Sequence, residues 1–105
     1  MMISTVMRIT VSELCECEGL SRSLLLDLVE YEIAQPVAGS TIEDWIFDAT
    51  NAQWMQRAIR LQRDLDIDWV AVAMLIDLLR EREQLSYENR ILRQRLERFL
   101  AEDEL

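Results

Sequence analysis

From Ser40 to Leu105 the chain contains neither glycine nor proline. A stretch of that length without a breaker favours long helices, because strands joined by tight turns draw heavily on both residues. The only breakers in all 105 residues are Gly19, Pro36 and Gly39. Half of the residues are apolar and 30% are charged, which fits one packed soluble domain with a modest core rather than a disordered chain.

The breakers and polar caps divide the chain. Residues 5–9 alternate enough for a short strand. Thr10-Val11-Ser12-Glu13 then forms a capping box, in which Thr10 caps a helix and Glu13 reaches back to it. Val11, Leu14 and Cys15 form the inner face of that helix, and Gly19 is placed to stop it. Ser21 caps a second helix of about Arg22 to Tyr31, with Leu25, Leu28 and Val29 inward. Two short helices joined by a glycine-containing turn read as a helix-turn-helix unit. Pro36 ends it. The turn-like Ala38–Thr41 and the β-formers Trp45-Ile46-Phe47 suggest a small wing. Asp48 is positioned to cap a third helix over 49–65, with Trp54, Ala58, Leu61 and Leu65 along one face and Met55 and Ile59 beside them. Asp68 is positioned to cap a fourth.

That fourth helix is expected to run from about Trp69 to Leu100. Its first turns, Trp69 to Ile76, are apolar nearly all round, which predicts that they cross the core. Beyond them the pattern narrows to heptads. Leu78, Leu85, Leu92 and Phe99 fall seven apart, and Leu75, Arg82, Asn89 and Leu96 take the other seam position. A seam so far from the head predicts a homodimer through Leu78, Leu85, Asn89, Leu92, Leu96 and Phe99. A buried Asn at such a position specifies a two-stranded pair, and in a parallel pair Glu88 faces Arg93 of the second copy.

The charge is lopsided. Twenty Asp and Glu oppose eleven basic residues, all arginine. Residues 1–50 hold only Arg8 and Arg22 against nine carboxylates and so carry −7. Such a field repels nucleic acid and anionic membrane and attracts a basic protein surface. On the second helix Leu24 and Leu26 flank the inward Leu25 and are expected to point outward beside Asp27, Glu30 and Glu32. An apolar pair rimmed by carboxylates suits a basic, partly apolar helix. Arg57, Arg60 and Arg63 on the third helix read as a solvated face, and Arg90, Arg93, Arg95 and Arg98 complement the negative end of the fourth helix dipole.

Other functions are disfavoured by what the sequence lacks. With no histidine and two cysteines only, Cys15 and Cys17, a tetrahedral zinc site cannot be completed. A Ser-His or Cys-His base is missing, and two glycines twenty residues apart make no phosphate loop. The expectation is no enzyme, no cofactor and no metal. The longest apolar run, Trp69 to Ile76, is too short to span a membrane. The start of the chain lacks the apolar stretch of a signal peptide, and the cysteine usage fits a reducing cytoplasm.

The run Ile9-Thr10-Val11-Ser12-Glu13-Leu14, then Gly19-Leu20-Ser21, Pro36 and Trp45-Ile46-Phe47-Asp48, resembles the MerR-type winged helix-turn-helix head. The chain is more closely similar to the chaperone-modulator family CbpM, through Trp45–Asp48, Arg57-Ala58-Ile59-Arg60-Leu61, Leu65–Trp69 and Glu88-Asn89-Arg90-Ile91-Leu92-Arg93-Gln94-Arg95-Leu96. The resemblance covers almost the whole chain. It implies a mainly α fold: a MerR-like winged helix-turn-helix head over residues 1–66 with a small β wing, and a long C-terminal dimerisation helix over 67–105, in a single structural domain.

It also implies a partner, the J-domain of a DnaJ-like co-chaperone of the CbpA type, whose work with Hsp70 such proteins inhibit. DNA-binding MerR proteins place Arg-Tyr-Tyr in the second helix, where this chain has Leu26-Asp27-Leu28. The expected partner-binding residues are Glu13, Glu16, Leu24, Leu26, Asp27, Glu30 and Glu32. The alternatives for the same sequence are a MerR-like DNA-binding transcriptional regulator and a purely structural coiled-coil adaptor.

Overall fold

The computed structural model of the protein describes residues 7–17 and 19–103. Strand β1 (Ile9–Thr10) leads directly into helix α1 (Val11–Cys17), followed by α2 (Arg22–Glu30), strand β2 (Ile46–Phe47), α3 (Ala49–Leu65) and the 35-residue α4 (Trp69–Asp103). The expected strand over 5–9 is thus Ile9–Thr10, and residues 1–6 lie outside the described residues.

Each helix start is fixed by its own side chain. The Thr10 hydroxyl accepts from the Glu13 backbone N–H at 3.1 Å, and the Glu13 carboxylate accepts from the Thr10 backbone N–H at 2.9 Å. Ser21 Oγ accepts from the Leu24 N–H at 3.1 Å, Asp48 from Asn51 at 2.8 Å and Asp68 from Ala71 at 2.9 Å. The ends are equally local. Gly19 (φ +71°) follows α1, while Glu32 (φ 60°) and Asp66 (φ 51°) turn the chain through the left-handed region after α2 and α3.

The wing is minimal. β1 and β2 pair antiparallel with Ile9 opposite Phe47, and Ile46 is held on its other side by Ala38, through Ile46 N–H to Ala38 O at 3.0 Å and Val37 N–H to Ile46 O at 2.7 Å. Gly39 turns this edge at φ +98°. A Cβ there would lie 2.8 Å from Trp45 N and closer still to the Asp44 carbonyl, so only glycine fits.

The core joins all four helices. Val11 and Leu14 of α1, Leu25 and Leu28 of α2, Met55 and Ala58 of α3, and Val72 and Ile76 of α4 close around Phe47, and no polar or charged residue is buried among the described residues. Two expectations need correction. The inner face of α3 centres on Met55 and Ala58; Trp54 is half-buried and Leu65 is 53% exposed, because Leu65 sits in the last turn before the Asp66 cap and overhangs the head. The first turns of α4 do not cross the core. They lay one face on it, with Val72 and Ile76 buried, while Val70 and Met74 on the opposite face are 54% and 64% exposed.

One long-range clamp sets where α4 lies. Arg80 donates from its guanidinium to the carbonyls of Glu32 and Ile33 at the end of α2. The same guanidinium lies 5.0 Å from the Trp54 ring centroid, which also carries Arg57 at 4.3 Å, and Arg57 pairs with Glu83 of α4 at 2.9 Å.

The capping box makes a pH prediction. Hydrogen bonds from the Thr10 backbone N–H and then the Thr10 hydroxyl hold Glu13 below its ordinary value of 4.5. Because the folded pKa is depressed, the contribution of Glu13 to head stability is fully present above about pH 4.5 and is lost as pH falls through the lowered pKa. Carboxyl NMR titration is expected to place the Glu13 midpoint below its ordinary value of 4.5. A midpoint at or above that value contradicts the capping geometry.

Candidate partner-binding surfaces

The first surface is the helix-turn-helix face. Leu25 and Leu28 are fully buried and fix the rotation of α2, so the residues half a turn away face solvent. Glu30 is exposed there, with the half-buried Asp27 on one side of it and Leu26, 46% exposed, on the other. Leu24 corrects the expectation of an outward pair: it is half-buried and packs against the core, because it falls on the Leu28 flank of the inward stripe. Glu32 is exposed beyond the end of α2, its carbonyl facing Arg80. Glu13 and Glu16 are exposed on α1, with the Glu13 carboxylate engaged by Thr10. Arg22 pairs with Glu43 and thereby ties the start of α2 to the wing loop. The single cation of α2 is therefore already neutralised, and Asp27, Glu30 and Glu32 leave its exposed face negative.

The second surface runs along α4. Leu78, Leu85, Leu92, Leu96 and Phe99 are 57–64% exposed and lie on one side of the helix. Val70 and Met74, which the sequence reading assigned to the core, continue that side toward the head at intervals of four. The signal was present in the spacing Val70-Met74-Leu78, but an all-apolar run hides its own phase. Leu75, expected in the seam, is half-buried. Asn89 is exposed and accepts from Arg93 Nε at 2.9 Å within its own helix.

Cys15 is half-buried and Cys17 exposed, both as free thiols, and no group of three metal-ligating side chains comes together among the described residues. No described helix is long and apolar enough to cross a membrane.

Comparison with known proteins agrees with this architecture. Residues 9–94 match the MerR HTH family regulatory protein family, a span that takes in the head and most of α4. The chain is 37% identical over 99 residues to the chaperone modulatory protein CbpM of Citrobacter koseri, covering 94% of this chain and 97% of that one. It is 35% identical over 95 residues to CbpM of Pseudomonas putida strain F1, covering 90% and 93%, and 36% identical over 102 residues to CbpM of Escherichia coli O1:K1, covering 95% and 98%. These relatives are named as modulatory proteins rather than enzymes. At 35–37% identity to these relatives over nine-tenths or more of its length, the chain belongs to the chaperone modulatory protein family CbpM.

Proposed function

We propose that this protein binds the J-domain of a DnaJ-like co-chaperone of the CbpA type and inhibits its stimulation of Hsp70, acting in the cytoplasm by occupancy alone, with no reaction catalysed and no cofactor. The observation that carries the reading is the acidic face of α2, where Glu30 and Asp27 flank the exposed Leu26 on one side and the exposed Glu32 follows just beyond the helix. J-domains engage Hsp70 through a positively charged helix, so an acidic surface that covers this helix blocks the productive encounter. Charge complementarity speeds and steers association, and the apolar contacts govern dissociation. Glu13 and Glu16 extend the negative field on α1. The experiment is a binding titration with the J-domain of the host's DnaJ-like co-chaperone, followed by Hsp70 ATPase assays. Asp27→Lys with Glu30→Lys is expected to weaken binding about tenfold, or about 1.4 kcal/mol, with helicity unchanged. Undiminished inhibition by that variant moves the contact to another face, and absence of wild-type binding refutes the function.

The second element of the proposal is assembly. The stripe from Val70 to Phe99 leaves seven large apolar side chains in water, and burying each contributes about 1.5–3 kcal/mol. We assign it to a homodimer, with Asn89 facing its copy in a parallel pair and Glu88 near Arg93 of the second copy. Light scattering at micromolar concentration is expected to give twice the chain mass. Leu85→Arg combined with Leu92→Arg is expected to halve it. A monomeric wild type overturns this assignment.

The same head in a DNA-binding protein must neutralise phosphates. Here the one arginine of α2 is paired with Glu43, and the other charges of the helix, Asp27 and Glu30, are negative. Gel-shift titration with random duplex DNA at physiological salt is therefore expected to give no complex. A saturable micromolar shift favours the transcriptional-regulator reading instead.

A further inference from the structure

Helix α4 carries a second apolar strip, which meets the stripe of leucines at Leu92. At about 100° per residue, Tyr87 and Ile91 stand 7 and 11 residues beyond Arg80 and so lie within about 20° of its direction on the helix. That direction is known: Arg80 reaches the Glu32 and Ile33 carbonyls at the end of α2. Tyr87, 53% exposed, and the half-exposed Ile91 therefore project on the side of α4 where α2 ends, two to three turns further out. The leucine stripe lies roughly a third of a turn away. In the heptad register Tyr87 and Ile91 fall outside the two seam positions, so a pair formed along the stripe does not draw on them.

We propose that Tyr87 and Ile91 form the floor of an angled docking site whose wall is the acidic end of α2, and that its occupant is a basic amphipathic helix of the J-domain partner. The assignment rests on the reading given under Proposed function. Continuity supports it, since the Arg80 contacts root the strip beside the exposed Glu30 and Glu32. Charge supports it too. Glu30 and Glu32 select a cationic occupant at the α2 end. Arg90 lies 5.4 Å from the Tyr87 ring centroid, and Glu88 and Arg95 line the groove beside Ile91, so the outer part offers charges of both signs. The occupant is thus a helix with one apolar side that is basic at the end over α2. A flat acidic face holds a basic helix by charge alone; an angled site with an aromatic floor also fixes its direction.

The test uses the full-length protein and the J-domain of the host's DnaJ-like co-chaperone. Tyr87→Ala with Ile91→Ala, both on an exposed part of α4, is expected to weaken binding about tenfold or more, chiefly through faster dissociation and with little change in salt dependence. Circular dichroism and mass by light scattering are expected to match wild type. Wild-type affinity in this variant, with Asp27→Lys and Glu30→Lys still impairing binding, overturns the docking floor and leaves the proposed function standing. A halved mass overturns it by assigning the strip to a second copy. A wild-type protein that binds no J-domain removes both the function and this site.

Discussion

Of the 35 residues of α4, Val72 and Ile76 are fully buried and Trp69, Ala73 and Leu79 pack beside them, so about the first three turns fasten a long helix to the head. The polar clamp on Arg80 adds direction at the edge of that contact, because a planar guanidinium there meets two carbonyl acceptors and an indole face at once. The exposed stripe, the exposed strip and the end of α2 all take their relative positions from this pairing of an apolar patch with a polar hook at its edge.

The elements themselves were legible because their determinants are local. Thr10 with Glu13, Ser21, Asp48 and Asp68 each act within three residues, and the helix starts follow from them. Phase was less legible wherever apolar residues crowd. In α3 the tryptophan drew the inner face toward Trp54, yet a ring flanked by Arg57 and Arg80 is satisfied half in water, and Met55 took the centre. In α4 the run from Trp69 to Ile76 offered no polar marker, so the sequence could not say which side met the head. Leu24 shows the same limit within one turn of α2.

The acids of α2 were visible as charges, and the outward placement of Glu30 followed from the burial of Leu25 and Leu28. The link between Arg80 and Ile33 spans 47 residues and leaves no periodic trace. Nothing in local sequence reports a contact of that kind. The matching family model is named for its helix-turn-helix, and on such a scaffold the chemistry of an exposed face can vary without a change of fold.

The connection between α3 and α4 has a kinetic side. Asp66, in its left-handed conformation, and the Asp68 cap reverse the chain within a few residues, and the two helices pack from that corner outward. Contacts of this kind close short loops at small entropic cost. The pairing of Ile9 with Phe47 encloses α1, α2 and the wing loop in one much longer loop. The order of folding follows from that asymmetry: the two long helices can zip together first and offer a surface, and the ends of the wing are then brought together upon it.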